Sequence, residues 1–310
     1  MDRRRPPLAP ALPRTARAGP ARPGGAALGR PAPARSRPRG AVRGSLRARG
    51  SEGASVSLVR QYLRDTLWVA VGYFVLMAVA LAAAILYWPD FRDNLPSIVK
   101  LLPFDALREL VAGIERFGYW AYFAIQQDFK GCSLFGLAAV ALFGSGVVAR
   151  EADQKTAEFL LSRPVSRTRI LLVRFATAAV LVLAPVFLTS LGGMWLSPVV
   201  GERLAPGPVL AAAAYLGLFL LMQLAFCVWL SAGSEHQLRA GVILIGIMLF
   251  QFALYLVKGV GDWTLYALVD PSRLGPIQAG RFPWREAAGF AAATIGFLLL
   301  AIRRFARRDF

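Results

Sequence analysis

The chain has 310 residues, is 56% hydrophobic and has a mean hydropathy of +0.50, which is more apolar than the core of a soluble domain of this size requires. Its formal net charge is +18, but 13 of its 36 Lys and Arg residues lie in residues 1–50, and the remainder of the chain carries only +6. The composition favours a membrane protein in contact with a lipid bilayer. The charge gives no ground to expect a nucleic-acid partner, because it is concentrated in one tail.

Residues 1–55 form a tail rich in Arg, Pro, Ala and Gly. It has no apolar run that could form a core, so we expect it to be disordered. Two interpretations remain open: a polybasic arm that rests on anionic lipid headgroups, or an extension upstream of a true start near Val56. Residues 56–310 are predicted to form the membrane domain.

Six uncharged apolar segments follow, at residues 66–88, 132–149, 175–196, 209–230, 240–257 and 287–302. The first, third and fourth are long enough to cross a hydrocarbon core of about 30 Å, at about 1.5 Å per residue of helix. The other three are shorter, and their ends are less sharply defined. The pattern predicts an all-α, polytopic membrane protein with six transmembrane helices.

Basic residues are retained on the cytoplasmic side of a membrane, and here they cluster next to alternate span ends. The clusters include Arg60 and Arg64, the charged insert at residues 150–174, Arg239, and the arginines at 303–308. We therefore expect both termini and the charged insert to be cytoplasmic, in a multi-pass protein of the cell membrane.

On the predicted outer side, residues 104–117 place their apolar side chains on one helical face. This pattern indicates a helix at the outer interface, which either packs on its neighbours or acts as a gate. Tyr119, Trp120 and Trp284 lie near predicted span ends, where aromatic rings often sit at headgroup level. We expect them to anchor the protein at the interface.

The charged insert has a helical pattern over residues 151–162, which Pro164 ends. Ser166 then offers an N-cap for a helix that continues into the third apolar segment. The insert is thus predicted to be a short surface helix joined to two membrane helices, able to transmit a push from a cytoplasmic partner. The alternative is an ordinary loop whose arginines only set topology.

The same stretch resembles the first cytoplasmic loop of the permease subunits of type 2 ABC exporters, in which a Glu-rich entry precedes Gly-Thr-Leu-Glu, two leucines and Pro-Val-Ser-Arg. Lys155 and Ala157 depart from that pattern by replacing its Gly and Leu, and the basic ending at 303–309 is also similar. The matching residues, which the resemblance implies form the ATPase-coupling interface, are Glu151, Thr156, Glu158, Leu160, Leu161, Pro164, Ser166 and Arg167.

The resemblance implies a separately encoded ABC ATPase subunit as partner, together with a second permease that is identical or related. ATP and Mg²⁺ would be bound by that ATPase, and no cofactor, catalytic residue or metal site is expected in this chain. The sequence has no G-x-x-x-x-G-K-[ST] phosphate loop, so the energy source must lie in another polypeptide.

None of the six apolar segments contains Asp, Glu, His, Lys or Arg. This absence argues against an intramembrane enzyme or an ion-driven carrier, both of which use ionisable groups within the membrane. Gln223 and Gln251 are candidates to line a translocation path, although interhelical hydrogen bonding is the commoner use of such residues. Two alternatives to an ABC permease remain: a secondary transporter or channel, and a membrane scaffold without transport activity.

Overall fold

The computed structural model describes residues 39–101, 105–149, 166–257 and 259–307. The chain divides into two units, Met1–Gly44 and Ser45–Phe310. In the first unit only residues 39–44 are described, and they are helical. In the described part of the second unit, all regular secondary structure is helical and no residue forms a β-strand.

The helices are bounded as follows: Arg39–Leu86, Trp88–Leu101, Asp105–Phe117, Tyr119–Phe123, Leu137–Ser145, Arg167–Leu196, Pro206–Ala232, Gln237–Tyr255, Leu265–Leu268, Pro271–Gln278 and Trp284–Ala306. A π-helix at Ala124–Gly136 joins the fourth and fifth of these, and 3₁₀ turns lie at Ser197–Val200 and Gly261–Trp263. The first helix begins at Arg39 and therefore includes the last residues of the segment assigned to the tail.

Six helical stretches are long and apolar enough to cross a membrane, which confirms the predicted fold class. In chain order, spans 1 to 6 are Thr66–Leu86, Tyr119–Ser145, Arg167–Val200, Pro206–Ala232, Gln237–Tyr255 and Trp284–Ala306. Five of them overlap the predicted segments closely. The exception is span 2, which begins 13 residues before the predicted start at residue 132.

The early start of span 2 corrects one prediction about the membrane interior. The predicted boundary was set by the charges of Asp128 and Lys130, but the helix continues through both residues. Asp128 is only 1% exposed, because it lies inside the helix bundle instead of facing lipid. The six apolar segments contain no ionisable residue, but the spans extend beyond them. Span 2 includes the buried Asp128 and span 3 the buried Arg174, and spans 5 and 6 carry charged residues near their ends.

Spans 2 and 4 form the centre of the bundle, with 71% and 67% of their apolar stretch buried. Span 4 contacts spans 2, 3, 5 and 6. Spans 1, 5 and 6 are peripheral, with 28%, 28% and 17% buried, and their exposed apolar side chains suit contact with lipid. We call residues 145–149, 166–174, 231–239 and 303–307 the insert end of the bundle. The loop end comprises residues 87–101, 105–118, 197–206, 256–257 and 259–283.

At the loop end, the helix predicted over residues 104–117 is confirmed as Asp105–Phe117. Ile114 on this helix is buried in a cluster with Trp88, Tyr119 and Tyr122, which supports the packed version of that prediction. Tyr119 and Trp120 are not interface anchors, since they are 6% and 4% exposed.

The polar atoms of both rings are satisfied within the protein, which explains their burial. The Tyr119 hydroxyl lies 2.8 Å from Ser197 Oγ, and Trp120 Nε1 donates to the Leu274 carbonyl oxygen at 3.3 Å. Trp284, by contrast, is 76% exposed at the start of span 6, as an interface anchor would be.

Candidate functional site at the two ends of the charged insert

The structure describes both ends of the charged insert and shows how each end is attached to the helix bundle. Six residues of the predicted coupling interface lie outside the described residues: Glu151, Thr156, Glu158, Leu160, Leu161 and Pro164. Ser166 and Arg167 are described and belong to the exit of the insert. The entry is formed by residues 145–149, at the end of span 2.

Ser166 caps span 3, as the sequence predicted. Its Oγ accepts a hydrogen bond from the Arg169 backbone N–H at 3.3 Å, and its backbone is extended (φ −65°, ψ 145°). A serine in this conformation satisfies one of the N–H groups that the first turn of a helix leaves unpaired. The helix of span 3 therefore begins at Arg167, within the charged insert.

Arg167 contacts the last turn of span 6. Its Nη1 donates to the carbonyl oxygens of Phe305 at 3.3 Å and Ala306 at 3.5 Å. The last carbonyls of a helix have no intrahelical partner and carry a partial negative charge, so they attract a guanidinium group. The exit of the insert is thereby joined to the carboxyl-terminal end of span 6, a tertiary contact that the sequence did not predict.

Arg174, about two helical turns beyond Arg167 along span 3, joins the exit of the insert to its entry. The side chain is buried, with 6% exposed, and its Nη1 donates to the Val147 carbonyl oxygen at 3.0 Å. A hydrogen bond from a charged donor in a buried position is stronger than one between neutral groups. The start of span 3 is therefore held to the segment that follows span 2.

Ser231, near the end of span 4, binds the entry of the insert at three points. Its Oγ accepts from the backbone N–H groups of Val148 at 3.3 Å and Ala149 at 3.0 Å. Its hydroxyl donates to the Ser145 carbonyl oxygen at 2.8 Å. Sequence reasoning missed Ser231, because a serine at the end of an apolar run carries no signal of which backbone it will meet.

The insert end is strongly basic. Within its four described segments there are seven arginines and a single carboxylate, that of Glu235. The arginines are Arg167, Arg169, Arg174, Arg239, Arg303, Arg304 and Arg307. Apart from the buried Arg174, these side chains form a surface that is suited to bind acidic groups of a partner or of the membrane.

The two predicted path-lining residues both make contacts between secondary-structure elements. Gln223 is 1% exposed, and its Nε2 lies 3.2 Å from Met248 Sδ, which joins span 4 to span 5. Gln251 Oε1 accepts from the Leu265 backbone N–H at 3.3 Å. These contacts correspond to the packing role that the sequence also allowed, and a role in lining a path stays a prediction.

A polar cluster in span 2 was missed, because its residues were assigned to an outer loop. Gln127 Nε2 lies 2.7 Å from Thr189 Oγ1 and 3.0 Å from Ser190 Oγ, so it joins span 2 to span 3 within the membrane. The neighbouring Asp128 is buried, and neither of its carboxylate oxygens has a hydrogen-bond partner among the described residues. Both residues lie in the π-helix, a conformation often found at functional sites.

Comparison with known protein families gives a match over most of the chain. The model for the ABC-2 family transporter proteins matches residues 59–281, which include spans 1 to 5 and the whole of the charged insert. A comparison with curated proteins gave no match. The family match covers well over half of the chain and agrees with the six apolar helices and with the loop pattern at residues 151–167. The chain belongs to the ABC-2 family of transporter proteins, as a multi-pass membrane permease.

Proposed function

We propose that this chain is the permease subunit of an ATP-driven exporter of the cytoplasmic membrane. It forms the translocation path with a second copy or a related permease. A separately encoded ATPase binds ATP and Mg²⁺, and it drives the conformational change of the permease by contact with the charged insert. The observation that carries the proposal is the attachment of both ends of the insert to the bundle by Arg174, Ser231 and Arg167.

Coupling requires that a displacement of the insert move the spans and not merely bend a loop. The entry of the insert is held to span 4 by Ser231 and to span 3 by Arg174, and its exit to span 6 by Arg167. A movement of the insert is therefore communicated to spans 2, 3, 4 and 6 together. A loop that served only to set topology would not need these contacts.

The side on which the ATPase acts follows from the charge of the insert end. Seven described arginines lie there, next to span ends, where basic residues resist translocation. This supports a cytoplasmic insert end, and hence a position where a cytoplasmic ATPase can reach residues 150–165. Carboxylates on the partner would complement the arginines at such an interface.

The decisive experiment reverses one charge in the insert. We expect Glu158→Lys to reach the membrane at the parent level but to lose co-purification with the ATPase, because like charges at a docked interface cost several kcal/mol. Glu115→Lys is the matched control. Glu115 is exposed at the loop end, which the ATPase cannot reach. Equal ATPase recovery with both variants would show that Glu158 takes no part in docking.

A secondary transporter is the second candidate function, and Asp128 is the observation that favours it. The sequence argued against an ion-driven carrier from the lack of ionisable residues in the spans, and Asp128 removes that premise. The two candidates differ in energy source. Transport in vesicles that requires ATP and the ATPase supports the exporter, whereas proton-driven transport without ATP that Asp128→Asn abolishes supports the carrier. A scaffold would show neither.

A further inference from the structure

A cleft of about 650 Å³ lies at the insert end, between the end of span 4 and the last turns of span 6. One side is apolar, where Trp229 and Leu300 lie toward the membrane-spanning part of the helices. The other side is basic and belongs to the last turns of span 6. The lining residues are Trp229, Ala232, Gly233, Leu300, Arg303, Arg304 and Arg307.

The three arginines of the cleft lack a counter-charge within the protein as described. Their side chains are exposed, and none forms an ion pair with a carboxylate among the described residues. Arg303 and Arg307 are four residues apart on one helix, and like charges at that spacing repel each other. An anion bound between them would relieve this repulsion.

Arg304 packs against Trp229 on span 4 and against Gly233, the residue that follows this span. Its Cζ lies 5.6 Å from the centroid of the Trp229 ring, a distance at which a guanidinium is attracted to an aromatic face. Its guanidinium also occupies the space that a Cβ atom on residue 233 would fill, so the observed position requires Gly233. The cleft is thus shaped by span 4 as well as by the charges of span 6.

We propose that this cleft binds the headgroup of an anionic phospholipid. The phosphate lies against the three arginines, whose planar guanidinium groups suit phosphate oxygens. The acyl chains follow Leu300 along span 6. A lipid is the fitting ligand because span 6 is only 17% buried and its surface faces the bilayer, so the cleft opens to lipid where the helix leaves the membrane. The inference goes beyond the proposed function and does not depend on the ATPase.

The test compares lipid binding to the purified full chain by native mass spectrometry, with phosphatidylglycerol or phosphatidylcholine added. We expect phosphatidylglycerol to bind more tightly, and Arg303→Gln/Arg307→Gln to weaken its binding about 25-fold, at about fivefold for each arginine near the surface. Arg281→Gln/Arg285→Gln is the matched control. It removes the same charge from two exposed arginines near the other end of span 6 and should leave the preference unchanged.

The variant Gly233→Ala distinguishes binding that depends on the shape of the cleft from binding that depends only on its positive charge. It keeps every arginine but places a Cβ where the Arg304 guanidinium lies, so we expect it to weaken phosphatidylglycerol binding about fivefold. Equal binding of the two lipids to the parent, or an equal loss in the control variant, would overturn the proposal. So would inorganic phosphate that binds as tightly as the lipid. If the double variant kept its lipid preference and lost only the ATPase, the cleft would be a protein interface instead.

Discussion

Arg174 Nη1 donates a 3.0 Å hydrogen bond to the Val147 carbonyl oxygen, and this contact joins the start of span 3 to the end of span 2 on either side of the charged insert. The arginine is buried, so its loss would leave the carbonyl without this charged donor in a site from which water is largely excluded. Leaving a buried acceptor unsatisfied costs about 1 to 3 kcal/mol.

We therefore expect Arg174→Gln to lower the free energy of unfolding by about 1 to 3 kcal/mol and to reduce transport more than membrane insertion. Thermal unfolding in detergent and transport in vesicles measure the two effects. The matched control is Arg169→Gln, five residues earlier in the same helix, where the residue is only half-buried. The same loss of stability in both variants would show that the Val147 contact has no particular importance.

Ser231→Ala should loosen the entry of the insert. The substitution removes the acceptor of the Val148 and Ala149 N–H groups, so hydrogen exchange at these two amides should become faster. Ser234→Ala is the control, because the Ser234 hydroxyl donates to the Leu230 carbonyl, four residues earlier, and to no other group among the described residues. Unchanged exchange at residues 148 and 149 in Ser231→Ala would contradict the structure.

Gly193 marks a close approach of span 3 to spans 1 and 2. A Cβ atom there would lie 2.7 Å from Leu81 Cδ2 and 2.7 Å from Phe123 Cε2, so Gly193→Ala should destabilise the protein by about 1 to 3 kcal/mol through overpacking. Gly192→Ala, one residue away, meets no atom within 4 Å and should be neutral or stabilising. Thermal unfolding that ranked the two variants in the opposite order would refute this packing.

Replacement by leucine should lower the stability of the protein at Gln127 and raise it at Asp128. Gln127→Leu removes the contacts with Thr189 and Ser190 and should destabilise the protein by about 0.6 to 1.7 kcal/mol. Asp128→Leu removes a buried carboxylate that has no partner among the described residues, so it should raise the melting temperature. A lower melting temperature for Asp128→Leu would reveal a partner outside the described residues, such as a group on a second permease.

Topology is tested by cysteine labelling in sealed cells. Labels added from outside should reach cysteines engineered at Asp93 and Arg273, both exposed at the loop end, and should miss one at Gln154 in the insert. The parent's buried Cys227 should stay unlabelled in both cases. External labelling at Gln154 would invert the proposed orientation and place the insert out of reach of a cytoplasmic ATPase.

The number of spans was predictable, because each is marked by an apolar stretch long enough for a bilayer, and such stretches depend only on local composition. The Ser166 N-cap was predictable for the same reason, since capping is a local event. The start of span 2, by contrast, was not predictable from the sequence. A charge in a sequence signals a loop unless the fold buries it, and the burial of Asp128 depends on neighbours that are distant in the chain.

The contacts of the site were beyond the reach of sequence for a related reason. Ser231 meets backbone more than 80 residues away, and Arg167 meets backbone nearly 140 residues away. Neither residue type predicts such a partner. The coupling role of the motif at 151–167 stays a prediction, whereas the contacts that Ser231 and Arg167 make with the ends of the insert became visible only in three dimensions.

The contact of Arg167 with Phe305 and Ala306 can form only late in the synthesis of this protein. Span 6 is synthesised after the other five, and during synthesis the earlier parts of a chain fold first. The exit of the insert consequently acquires its support from span 6 only once all six spans are in the membrane. An incomplete chain presents an insert that lacks this support, so the contact distinguishes a finished permease from a nascent one.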